Sequence, residues 1–227
     1  MTVIKKAVSL SQNEKKAVEE LYQQLCGENT DPALCLFFCS PKYDLDLLEQ
    51  ELLNHFGDIP LIGCTTAGEI TPLGYQENSI TGVAFPKGHF RIVSRRIDKI
   101  STFRIQDGID AGEQLIADLK KDIPHANGNN TFAFMLIDGS TADNWDLEKT
   151  SLFFKDGFSR DMAVVILIHT ELPFQVHYTH HYVAGDAKAV ITEADSIARI
   201  VHEINGLPAT QEYARLCGVD EKDLTIS

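Results

Sequence analysis

The chain has 227 residues, long enough for one large domain or two small ones, with 44% hydrophobic and 23% charged residues, the balance of an ordinary globular protein. Its formal charge of −13, with no basic stripe carrying interleaved aromatics, excludes nucleic acid and anionic lipid as expected partners. No apolar run approaches the ~18 residues that span a bilayer, and the first residues lead into a polar helical pattern rather than an export signal, so the expected compartment is cytoplasmic.

Residues Asn13 to Cys26 carry Ala17, Val18, Leu21 and Leu25 at helical spacing, and Gly27 is a natural stop. Ala33 to Cys39 is a continuous apolar run, read as a buried strand. Tyr43 to Phe56 sets Leu45, Leu48, Leu52 and Phe56 on one helical face before Gly57, and Ile59 to Gly63 is a second short strand. This β-α-β order predicts a parallel pair with a right-handed crossover. Ser79 to Phe85 and Phe90 to Ile97 read as strands on either side of a Pro86-Lys87-Gly88 turn. Gln106 to Lys121 is an amphipathic helix with Ile109, Leu115, Ile116 and Leu119 as core candidates, Pro124 to Asn130 a loop, and Thr131 to Ile137 another buried strand.

Further on, Ser151 to Phe154, Met162 to Ile168, Phe174 to Val183 and Ala187 to Thr192 read as strands, with Asp156-Gly157 as a turn between the first two. Ala194 to Asn205 is ambiguous. Pro208 to Cys217 is a short helix closed by Gly218. The expected fold class is α/β to α+β: helices on a mixed sheet in an N-terminal half, 1–137, and a strand-rich, shortened second half, 138–227. An internal echo links the halves, since Leu61 to Glu69 resembles Leu136 to Asp143. The first copy is preceded by strand, helix and strand, the second by one strand, so a helix and a strand are expected to be missing near Asp138 and Gly139.

The segment Gly63 to Thr71, Gly-Cys-Thr-Thr-Ala-Gly-Glu-Ile-Thr, is the most site-like stretch. Glycine permits close backbone approach, and threonine hydroxyls at a strand end can hold a polar head group. Gly63, Cys64, Thr65, Thr66, Gly68 and Glu69 are therefore candidate ligand-binding residues; a tight turn that only redirects the chain is the alternative. Catalysis by Cys64 or Glu69 ranks last, because Cys64 has no histidine beside it in sequence and a thiol nucleophile needs a base. The five cysteines form no C-x-x-C pair and read as small buried thiols.

His177, His180 and His181 cluster in one segment. In a strand His177 and His181 share a face, where two imidazoles could bind a metal or one could ligate haem; exposed imidazoles on a solvated strand are the plainer alternative. His169 closes an apolar strand and reads as a satisfied, half-buried residue rather than a ligand. Asp138, Asp143 and Asp146 could bind a cation or an ammonium group, but a solvated loop is the better account of them. No P-loop, dinucleotide-binding, nucleophile-elbow or zincin motif occurs.

Leu61 to Thr71 followed by Ser79 to Phe85 resembles the N-terminal signature of FIST domains, and the spaced leucines of Asp44 to Phe56 fit it. Ala187 to Asp195 and Val201 to Ala209, then Tyr213, resemble later family elements, so the resemblance covers nearly the whole chain. It implies a non-enzymatic bacterial sensory domain that binds a small ligand, an amino acid among those proposed. The implied partner is a sensor histidine kinase or a cyclic-nucleotide signalling enzyme. Through Leu167 to Gln175 the chain resembles a subset described as haem-binding nitric-oxide sensors, which implies haem b with His181, then His177, as axial ligand. Two departures stand out. The helix and strand after the Asp138 position are absent, with no glycine in Thr141-Ala142-Asp143, and the family pattern continues beyond the Tyr213 helix, whereas this chain stops at Ser227. Either would leave a pocket wall unmade or an edge strand unpaired, which favours self-association into a homo-oligomer and keeps a degenerate interaction scaffold as an alternative.

Overall fold

The computed structural model describes residues 4–27, 30–138, 150–177, 188–195 and 200–224, and within these the cap residues of the sequence mark where helices begin and end. Helix α1 (Glu14–Cys26) starts at Asn13, whose side chain accepts from the Lys16 N–H at 3.0 Å. Helix α2 (Leu45–Phe56) starts at Asp44, which accepts from the Asp46 and Leu47 N–H groups, and stops at Gly57, which takes a positive φ of 51°. Helix α3 spans Ile105–Asp122, and the Asp107 carboxylate accepts from the Arg104 N–H at 2.9 Å at its start.

The chain divides into two compact units, 1–176 and 177–227; residue 137, where the sequence divides into its expected halves, lies inside the first. The first unit holds a six-stranded sheet of β1 (Lys5–Ser9), β2 (Pro32–Cys39), β3 (Leu61–Thr65), β6 (Ile80–Pro86), β9 (Leu152–Phe154) and β10 (Gly157–Ser159), in the order β1-β6-β2-β3-β9-β10. Strands β2 and β3 run parallel with α2 as their crossover, as expected, and the other pairs are antiparallel. A two-stranded hairpin, β4 (Glu69–Thr71) and β5 (Gly74–Gln76), follows β3. A second sheet has the order β7-β11-β8, from β7 (Phe90–Asp98), β8 (Thr131–Ile137) and β11 (Met162–Thr170).

Period-two alternation distributes the side chains between two cores. Cys35, Phe37 and Cys39 of β2 point to α1 and α2, where they meet Leu21, Leu25, Leu48 and Leu52. Leu34 and Leu36 point the other way and pack against Met162, Val164, Ile166 and Ile168 of β11. The intervening residues of β11 face away from that core, and α3 packs against β7 and β11. The first unit is thus layered as helices, sheet, sheet, helix, an α+β arrangement with mixed sheets.

The Pro86-Lys87-Gly88 turn is present between two strands as expected, with the His89 N–H donating to the Pro86 carbonyl at 3.1 Å, and it passes the chain from one sheet to the other, so β6 and β7 do not pair. Other expectations are corrected. Ile109 and Ile116 are about half exposed, because Ala111, Leu115 and Leu119 form the inward stripe and a three-stranded sheet covers little more than one stripe. Strand β8 is not deeply buried: it pairs only with β11 among the described residues, and Met135 and Ile137 are half exposed. Residues 174–177 form no strand; 178–183 lie outside the described residues, as do 139–149, which include Asp143 and Asp146.

The second unit contains β12 (Ile191–Asp195), β13 (Ile200–Ile204) and β14 (Leu207–Pro208) in one antiparallel sheet, with α4 (Ala209–Cys217) following. Asn205 and Gly206 both have positive φ in the turn between β13 and β14, and Gly218 caps α4 with φ 71°.

Candidate functional site

Strands β2 and β3 end side by side, and the carboxyl ends of parallel strands are where open α/β sheets commonly bind ligands. Here the chain makes the turn from Thr65 to Glu69 and enters the β4–β5 hairpin. The Thr66 N–H donates to the Cys39 carbonyl at 2.8 Å, tying the turn to the end of β2. The Thr65 N–H donates to the Ser151 carbonyl at 3.0 Å, and Thr65 Oγ1 accepts from the Ser151 N–H at 2.9 Å, tying it to β9.

Glu69 is the centre of the arrangement. It is only 1% exposed, and its two oxygens are divided between two elements. Oε1 accepts from the Thr66 hydroxyl at 2.8 Å; Oε2 accepts from the Ser79 hydroxyl at 2.6 Å and the Ser79 N–H at 3.3 Å. A buried carboxylate is tolerated only when hydrogen-bonded in this way. It joins the turn after β3 to the residue that opens β6, while Ala67 at the tip is exposed.

Of the six candidate residues, Thr66 and Glu69 are joined through this carboxylate. Gly63 serves packing: it lies opposite Phe37 across the β2–β3 ladder, and a Cβ there would collide with the Phe37 ring. Gly68 lies under the Tyr75 ring in the same manner. Cys64 packs at the margin of the inter-sheet core, and burial pushes its thiol up to about 12. A nucleophilic thiol needs the opposite shift. The hairpin that begins at Glu69 exposes three large apolar side chains, Ile70, Leu73 and Tyr75.

Asp138 is fully buried at the end of β8 and is likewise internally bonded, accepting from the Thr150 hydroxyl at 2.7 Å and from the Asp161 N–H. His177 is exposed and lies outside any strand, and His181 is outside the described residues.

The sequence pattern of the FIST N domain matches this chain over residues 33–142 and 139–207, two overlapping pieces that together run from β2 to β14. The chain belongs to the FIST family. FIST domains are sensory domains of signal-transduction proteins. The two pieces of the FIST match meet at 139–142, beside the position where the helix and strand are expected to be missing. The FIST chain is also similar to an uncharacterised protein of Methanocaldococcus jannaschii, 24% identical over 83% of this chain. It spans 41% of that protein's length. Among the described residues no helix is long and apolar enough to cross a membrane.

Proposed function

We propose that this FIST chain is a non-enzymatic, ligand-binding sensory domain whose ligand is a small polar metabolite, an amino acid being the favoured class, received at the turn from Cys64 to Glu69. The observation that carries this reading is the buried Glu69 carboxylate at the carboxyl ends of β2 and β3, bonded to hydroxyls on two different elements. A ligand with ammonium and carboxylate groups can compete for the Thr66 and Ser79 hydroxyls and for Glu69 itself. That competition changes how firmly the β4–β5 hairpin is held, and the exposed Ile70, Leu73 and Tyr75 give a partner something to read. The partner class is a sensor histidine kinase or a cyclic-nucleotide signalling enzyme.

Calorimetric titration of the full chain with the common amino acids tests the proposal. Saturable 1:1 binding that is lost in Glu69→Gln and Ser79→Ala, with far-UV circular dichroism unchanged, is the expected result. Binding unaltered in both variants moves the ligand elsewhere.

A second reading, haem b ligated through His177 or His181 for nitric-oxide sensing, draws on the exposed imidazole of His177. A stoichiometric Soret band that shifts with nitric oxide and disappears in His177→Ala or His181→Ala would carry it. Weak, non-saturating haemin uptake indifferent to both variants would remove it.

A further inference from the structure

A second group of chemistry-bearing side chains lies far along the chain from Glu69 and takes no part in the site above. Strand β11 ends at His169 and Thr170, the next residue is Glu171, and the loop after α3 brings His125 to the same place. His125 Nε2 is 3.1 Å from Glu171 Oε1, and His169 Nε2 is 3.2 Å from the same oxygen. The three ligand-capable atoms all lie within 4.8 Å of one another. The two imidazole rings meet edge to face, with centroids 5.6 Å apart.

The state of His169 makes this arrangement chemically pointed. Its side chain is 6% exposed, and its Nδ1 lies 3.4 Å from the Thr131 hydroxyl oxygen. The Thr131 hydroxyl is also 3.2 Å from Asn130 Oδ1, so the ring is held from its Nδ1 side by the start of β8. His169 Nε2 is left to face the Glu171 carboxylate. His169 Nε2 and His125 Nε2 thus converge on one carboxylate oxygen, at 3.2 and 3.1 Å. A neutral imidazole held by a hydrogen bond on its far nitrogen is the usual metal-ligating form of histidine.

We propose that His125, His169 and Glu171 form a binding site for a borderline-soft divalent metal ion of the zinc class. Two imidazoles and one carboxylate are a recognised zinc ligand set. With bond lengths of ~2.0–2.1 Å, tetrahedral ligands stand roughly 3.3 Å apart, close to the two nitrogen–oxygen separations found here. The widest separation, between the two imidazole nitrogens, closes by rotation of His125, whose side chain is 66% exposed. The set faces an open cleft of ≈ 330 Å³ that His89 also lines, so the fourth position is open to His89 or to a water. Arg91, on the same cleft, does not occupy the site: its guanidinium donates to the Lys87 and Phe90 carbonyls at 2.6 and 3.2 Å.

The test is zinc titration of the chelator-stripped full chain in competition with a chromophoric chelator, repeated with cobalt(II) as a spectroscopic probe. One equivalent should bind. His125→Ala and Glu171→Gln, both at exposed side chains and each checked for unchanged far-UV circular dichroism, should each weaken zinc by about 100-fold or more, since even outer-shell partners of a metal are worth about 10–100-fold. His177→Ala should change nothing, and the cobalt spectrum should lack a thiolate charge-transfer band. The absence of saturable binding overturns the proposal. So does equal affinity in the two surface variants, or a thiolate band that assigns the ion to the cysteines.

Discussion

Residue chemistry decides which thiols of this chain can react. Burial raises Cys39 and Cys64, the latter to about 12, and a bond from Cys26 together with burial raises Cys35. Cys26 moves the other way, because its Sγ lies 3.8 Å from Cys35 Sγ, and Cys217 is exposed. Thiolate fraction and access together govern alkylation. Native protein treated with iodoacetamide near pH 8 should therefore label at Cys217 and Cys26 while Cys35, Cys39 and Cys64 stay protected, as peptide mass spectrometry would read. Fast labelling of Cys64 would contradict the burial that removes it as a nucleophile. Gly63 makes a second prediction at this scale. The Phe37 ring lies across it and packs edge to face with Phe153 and Phe158, so an added methyl has nowhere to go. Gly63→Ala should destabilise the chain by ~1–3 kcal/mol in urea unfolding, the usual cost of overpacking. An unchanged midpoint would mean the ring can move aside.

Among the elements, α4 shows how a polar residue can knit a small sheet. Glu212, in its first turn, is buried and accepts from Arg215 Nε and Nη2, each at 2.6 Å, and from Asn205 Nδ2 at 2.8 Å. Asn205 in turn accepts from the Val190 N–H on its side-chain oxygen at 2.9 Å. The Arg215 bonds, then the Asn205 bond, hold the Glu212 carboxyl down to about 2, below its ordinary 4.5. A depressed folded-state value contributes stability that is complete above 4.5 and is lost as pH falls from there toward 2. Unfolding followed against pH should show wild type and Glu212→Gln converging over that window; a constant gap between them would exclude the carboxylate as the cause. Helices such as α1 and α2 are legible in the sequence because Asn13, Asp44 and Gly57 announce their ends locally. Sheet membership is not. β6 and β7 look alike as apolar runs around a turn, and their separation depends on pairing with β2 and β11, far away in sequence. Glu69 stands out in a compact motif, whereas His125 and His169 come together only through the return of β11 beside the loop after α3. The one local hint was a polar His-Thr-Glu ending on an apolar strand.

At the scale of the molecule, the first unit uses one plan twice. In the first sheet β1 and β2 flank β6 with α1 as crossover; in the second β7 and β8 flank β11 with α3 as crossover, in the same order and directions. Topology thus equates β8 with β2, whereas the sequence echo aligns it with β3, and the position beside β8 that β3 holds beside β2 is empty among the described residues. The two copies meet sheet to sheet, and neither side of that core exists alone: Leu34 and Leu36 come from one sheet, and Met162, Val164, Ile166 and Ile168 from the other. A core shared in this way should make the two sheets one cooperative unit. Leu36→Ala and Ile166→Ala each remove buried side-chain volume from opposite sides of it and should each cost ~2–5 kcal/mol. The decisive readout is hydrogen exchange. In either variant the amides of both β2 and β11 should exchange faster by the same factor, because the loss is felt by the single transition that exposes both. Faster exchange confined to the mutated sheet would mean that each copy opens by itself, and that the inter-sheet core joins two independent folds rather than making one.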